Sequence, residues 1–166
     1  MLAPSSLCPA EIACFIEQGY CVVRGAYDAA LVAHILDWVW AELPEKRHDP
    51  STWTRQATVL QKSLPEPRMS NPKVLAALDA LLGPGRYGPP VGTGYMPMSF
   101  PGFATPPWQA PVSGWHVDGV WFPHRLLGRE QAVVCLPLLT PVGPGDGGTA
   151  IRQGSHLLGF QVLEGQ

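Results

Sequence analysis

Charge is scarce in this chain. Only 14% of its 166 residues are Asp, Glu, Lys or Arg, against about a quarter in most globular domains. The net charge is −2 and no segment is strongly basic. The electrostatic footprint of a nucleic-acid-binding protein is therefore missing. Cysteine is sparse as well: Cys8, Cys14, Cys21 and Cys135 form neither a C-x-x-C nor a zinc-ribbon spacing. They are expected to be reduced, buried or half-buried thiols. Long apolar runs are lacking too. No stretch approaches the ~18 residues that a membrane-spanning helix needs. The opening MLAPSSLCPAEIACFIEQ has no basic region and no long apolar core, so it does not read as a secretory leader. Together these shortages predict a cytoplasmic, soluble protein with no membrane or nucleic-acid partner.

Hydrophobic residues, at 46%, suffice for one globular domain over 1–166. Gly (18) and Pro (19) are abundant and crowd into the second half, which favours short strands and tight turns there. The first half is helical by pattern. Pro9 to Gln18 places Ile12, Phe15 and Ile16 on one face and stops at Gly19. Tyr20 to Val23 reads as a short strand. Asp28 is a good N-cap for a second helix, with Leu31, Val32, Ile35, Leu36 and Val39 in one stripe and Pro44 as its end. Residues 45–69 read mostly as loop. Asn71-Pro72 opens a third helix, which Gly83 closes. Strands are expected at Ser113–Gly119, Gln131–Leu139 and Thr149–Arg152. The predicted class is mainly β with N-terminal helices (α+β): a helical face over about 1–83, packed on an antiparallel barrel or sandwich over about 84–166.

The densest chemistry lies in Gly114-Trp115-His116-Val117-Asp118-Gly119. On a strand, residues i and i+2 share a face, so His116 and Asp118 would reach inward together. An imidazole beside a carboxylate supplies two of the three donors in a 2-His-1-carboxylate facial site, which leaves coordination positions open. The competing interpretation is an ordinary hydrogen-bonded pair at a strand end. The aromatic setting of Trp115, Trp121 and Phe122 favours a pocket. Tyr95, Trp108 and Trp121 are candidate substrate contacts. The glycines from Gly143 to Gly148 have phosphate-loop spacing, but Thr149 stands where lysine belongs. They read as a hairpin turn, with a second turn at Gly154-Ser155. His34, His48 and His124 read as structural or solvated.

WHVDG, then the apolar VVCLPLL, then GDGGTAIRQGSH, resembles the phytanoyl-CoA dioxygenase family. The opening FIEQGYCVVRG resembles that family's first helix and strand. The resemblance implies a double-stranded β-helix (jelly-roll) core. It also implies an Fe(II)- and 2-oxoglutarate-dependent dioxygenase that uses O2 to hydroxylate a small organic substrate. His116 and Asp118 match the first two iron ligands. The third, a later His, and the following Arg that grips 2-oxoglutarate have no counterpart. After Asp118 the histidines are His124 and His156, and no Arg follows Arg152. The resemblance therefore implies a C-terminally truncated member with an incomplete core, or His156 as a substitute ligand. A non-catalytic jelly-roll protein and a cupin-like isomerase or binding module are the rival expectations.

Overall fold

The computed structural model describes residues 7–88, 93–103, 109–119, 123–125 and 132–164. In chain order the elements are α1 (Pro9–Gln18), α2 (Ala29–Glu42), β1 (Ala57–Leu60), α3 (Pro72–Leu82), β2 (Met96–Ser99) and α4 (Ser155–Glu164). Short 3-10 turns at Pro50–Thr52 and Pro67–Ser70 flank β1. The architecture is mixed α/β, and its sheet has two antiparallel strands.

Each early helix starts where its side chains satisfy free backbone donors. The Asp28 carboxylate accepts from the Leu31 amide at 2.8 Å, which satisfies one orphan N–H of α2. Asn71 accepts from the Lys73 and Val74 amides at 3.0 and 3.1 Å. Its amide nitrogen donates to the Ala26 carbonyl at 2.8 Å, tying α3 to the loop before α2. At α1, the Glu11 carboxylate accepts from the Cys8 amide at 2.7 Å. Helix α2 ends at Leu43, which is extended at ψ 146°, as a residue before proline prefers.

Helix α2 carries the core. Leu31, Ile35 and Val39 are spaced one helical turn apart and all are buried. They cluster with Leu43, Leu60, Met69 and Met96, and Tyr27, Trp38, Leu64, Met98 and Leu139 pack around them. Leu60 and Met96 face each other across the sheet, in a register running from Ala57↔Ser99 to Leu60↔Met96. Trp40, Trp53 and Phe100 pack together beside it, with ring centroids 5.7–6.3 Å apart. Residues from both halves of the chain thus share one core.

Two carboxylates are buried beside this core. Glu66 accepts from the Arg68 amide at 3.0 Å and from its guanidinium at 2.8 and 2.7 Å, and His34 lies 3.4 Å away. These bonds to Arg68 hold the Glu66 carboxyl down to about 2. Glu45 accepts from Arg55 at 2.7 and 3.2 Å, which also lowers its pKa. A carboxyl depressed in the folded state stabilises above its unfolded pKa and loses that contribution as the pH falls through the folded value. For Glu66 the window runs from the ordinary 4.5 down to about 2. The urea midpoint is expected to fall across this window, and Glu66→Gln to flatten the fall. Equal acid slopes in the variant and the parent chain would remove Glu66 from the account.

Several expectations need correction. Tyr20–Val23 is irregular, and no strand among the described residues lies alongside it. Residues 113–119, 132–139 and 149–152 form no strand either, while Gln131 lies outside the described residues. A jelly-roll core is therefore not seen among the described residues. Over 132–139 the period-two pattern survives in part. Val133 and Leu139 are half-buried, whereas Val134, Leu136 and Leu138 are 47%, 50% and 71% exposed. Cys135, expected as a buried or half-buried thiol, is exposed as well. A side-chain pattern sets which face turns inward, but a strand also requires a hydrogen-bonded neighbour. Conversely, β1 arises within the expected 45–69 loop and β2 within the Pro-rich stretch. The turn expected at Gly154-Ser155 is present, with the Ser155 amide bonded to the Arg152 carbonyl at 3.2 Å and Gly154 at φ 74°, and α4 follows directly from it. No described helix is long and apolar enough to cross a membrane.

Candidate metal centre

The WHVDG segment is held between two glycines with positive φ, Gly114 at 81° and Gly119 at 99°, a conformation that side chains disfavour. Trp115 donates from its indole nitrogen to the Pro111 carbonyl at 2.9 Å, which bends the chain back on itself. The His116 and Asp118 side chains come together, with Nε2 3.2 Å from Oδ1. This is the juxtaposition expected from their spacing, reached without a strand. Their setting differs from the expected inward face, since the two side chains are 68% and 47% exposed. Trp121 and Phe122, expected to wall the pair, and Trp108, a candidate substrate contact, lie outside the described residues.

The hydrogen bonding orients the imidazole. His116 Nδ1 lies 2.9 Å from the Gly114 carbonyl oxygen. A carbonyl only accepts, so Nδ1 carries the hydrogen and Nε2 is the atom offered to Asp118. The Gly114 carbonyl first, and the Asp118 carboxylate next, raise the His116 pKa above its ordinary value. With Nδ1–H donating to a backbone carbonyl, the outer arrangement matches that of metal-bound histidines. The donor set passes a geometric test as well. Two ligands about 2.0–2.2 Å from one ion and at right angles lie about 3 Å apart, close to the 3.2 Å seen here. A proton or a divalent cation satisfies the same two facing lone pairs.

No third donor joins them among the described residues. Among the described residues, no group of three or more His, Cys, Asp or Glu is arranged to hold a metal ion. His156 is engaged elsewhere, with Nε2 2.9 Å from the Ile16 carbonyl oxygen. His34 sits on α2 against Glu66. His48 and His124 are exposed. The Gly143–Gly148 turn is no anion cradle. The Asp146 carboxylate already accepts from the Gly143 amide at 2.7 Å, and Ser99 Oγ donates to the Gly147 carbonyl at 3.1 Å.

Sequence reading missed the ion pair between buried Glu66 and Arg68, although Glu66-Pro67-Arg68 shows opposite charges two residues apart in an otherwise charge-poor chain. It also missed the docking of residues 153–156 on α1, a contact between segments 140 residues apart that no local pattern encodes. In comparisons with known proteins, no protein-family model, curated protein or solved structure matches the chain.

Proposed function

We propose that this chain carries the His116–Asp118 part of an Fe(II) centre and functions as an Fe(II)/2-oxoglutarate-dependent dioxygenase of the phytanoyl-CoA dioxygenase type, with a jelly-roll core. The observation that supports this most is the 3.2 Å approach of His116 Nε2 to Asp118 Oδ1 with Nδ1 tied to Gly114. Iron bound with 2-oxoglutarate supplies the O2-dependent hydroxylation chemistry. The chain's own contribution is to orient the two donors and keep Nε2 directed at the ion. Residues 114–119 do this through the two glycine turns and the Trp115 bond to Pro111. The alternating faces of 133–139 suit a jelly-roll strand that lays one side on a core.

A second reading, a non-catalytic jelly-roll protein, draws support from His156. Its imidazole is bonded to Ile16 instead of lying beside the pair. Mn(II) titration monitored by electron paramagnetic resonance, with and without 2-oxoglutarate, separates the two. The oxygenase reading expects Mn(II) binding that tightens with 2-oxoglutarate, together with succinate formation when Fe(II) and O2 are supplied. Mn(II) binding with no 2-oxoglutarate effect supports the second reading. Absence of Mn(II) binding at millimolar concentrations defeats the oxygenase reading, leaves the second, and returns the pair to an ordinary hydrogen-bonded role.

A further inference from the structure

We propose that Gly154 and His156 form a latch on the C-terminal end of α1, with Gly19 as the notch that admits it, so that α1 opens and closes as a separate unit. An α-helix leaves its last carbonyls without intrahelical donors. At α1 these oxygens have specific partners. The Phe15 carbonyl accepts from the Gly19 amide at 2.9 Å. The Ile16 carbonyl accepts from His156 Nε2 at 2.9 Å. The Gln18 carbonyl accepts from the Gly154 amide at 2.9 Å. Two residues further on, the Tyr20 hydroxyl accepts from Gln153 Nε2 at 3.1 Å. Three residues of the segment 153–156, Gln153, Gly154 and His156, therefore grip one helix end. Because a carbonyl only accepts, His156 must carry its hydrogen on Nε2.

Gly19 is required there for two reasons. Its φ of 83° is left-handed, the conformation that glycine adopts most easily at a helix end. A Cβ at this position would also lie 2.6 Å from His156 Nδ1. Both the conformation and the space thus demand glycine.

The latch matters because burial does little to hold α1. None of its ten residues is fully buried, whereas Leu31, Ile35 and Val39 fix α2 in the core. His156 is exposed and begins α4 together with Ser155, so removing its ring opens no cavity in the core. Loss of the latch should release α1 and the start of α4 while α2 and α3 stay closed.

Hydrogen exchange of the full chain tests this, comparing the parent, His156→Ala, Gly19→Ala and the double variant. In His156→Ala, amides of 12–19 and 154–158 are expected to exchange at least about tenfold faster, with α2 and α3 unchanged. Gly19→Ala should produce the same local pattern. In the His156→Ala background its added effect should shrink, because the colliding ring is gone. Unchanged exchange of α1 in His156→Ala overturns the latch. So does acceleration spread evenly over α2 and α3, and so does an effect of Gly19→Ala that is equal in both backgrounds. Should Gly19→Ala fail to fold, His156→Ala alone decides.

Discussion

Ile35→Ala is expected to destabilise the fold by about 2–5 kcal/mol. Ile35 is the largest fully enclosed side chain among the described residues, with 0% exposure, at the centre of α2. It is flanked one turn away on either side by Leu31 and Val39 in a cluster that also includes Leu60, Met69 and Met96. Truncation removes three carbons from contact with several elements. The transfer loss is compounded by a cavity that neighbours on two strands and a helix fill poorly. Alanine favours the helix more than isoleucine does, which offsets only a few tenths of a kcal/mol. Ile35→Val should cost about 0.5–1.5 kcal/mol. Urea unfolding monitored by tryptophan fluorescence reads both. The midpoint should drop in that order with an unchanged slope. A loss below about 1 kcal/mol for the alanine variant would mean that the core is centred elsewhere.

His116→Ala should weaken Mn(II) binding at least about a hundredfold, since even the loss of a ligand's hydrogen-bond partner costs about 10–100-fold. The geometry specifies why. Nε2 and Asp118 Oδ1 are 3.2 Å apart and supply both donors of the proposed site. Asp118→Asn retains the shape but removes the charge, and should also lose most binding. Acidity adds a separate signature. The Gly114 carbonyl and Asp118 raise the His116 pKa above 6.5, so the imidazolium persists to a higher pH than usual. Metal requires the Nε2 lone pair and therefore competes with that proton. Apparent affinity should rise about tenfold per pH unit below the raised pKa and level off above it. The same raised value means that the charged pair stabilises the fold at pH below 6.5 and loses that contribution as pH climbs through the folded value. Imidazole proton resonances can follow both effects. A His116 titration at the ordinary value, with pH-independent Mn(II) binding, would detach the metal from this pair.

Within residues 9–83, local chemistry settles most of the structure. Asp28 before Leu31, Asn71 before Pro72, and Gly19 and Gly83 after their helices are effects that act within one turn. They recur in the structure as caps with the expected partners. The buried stripe of α2 follows equally from a 3.6-residue period. The meeting of His116 and Asp118 was legible for a related reason. Two residues apart in an extended chain, they share a side even where no strand forms, and the Gly114 turn does the rest.

Strands resist such reading because their hydrogen bonds come from another segment. Ala57–Leu60 pairs with Met96–Ser99 across a long separation, although Pro97 would argue against a strand there. The edge position of each strand in a two-stranded sheet lets the proline's missing donor face away from the ladder. Val133 to Leu139, by contrast, has strand composition but no partner among the described residues, so its alternation organises burial without forming a ladder. The role of His156 was beyond any local pattern for the same reason. The residue occurs in a glycine-rich segment that suggests a turn, and its position is decided by two carbonyls at the end of α1 and by the empty space over Gly19. Helix caps and side-chain spacing are properties of neighbours in the chain. Strand partners and the docking of residues 153–156 depend on which distant backbone groups are left to be satisfied once the α2 core has formed.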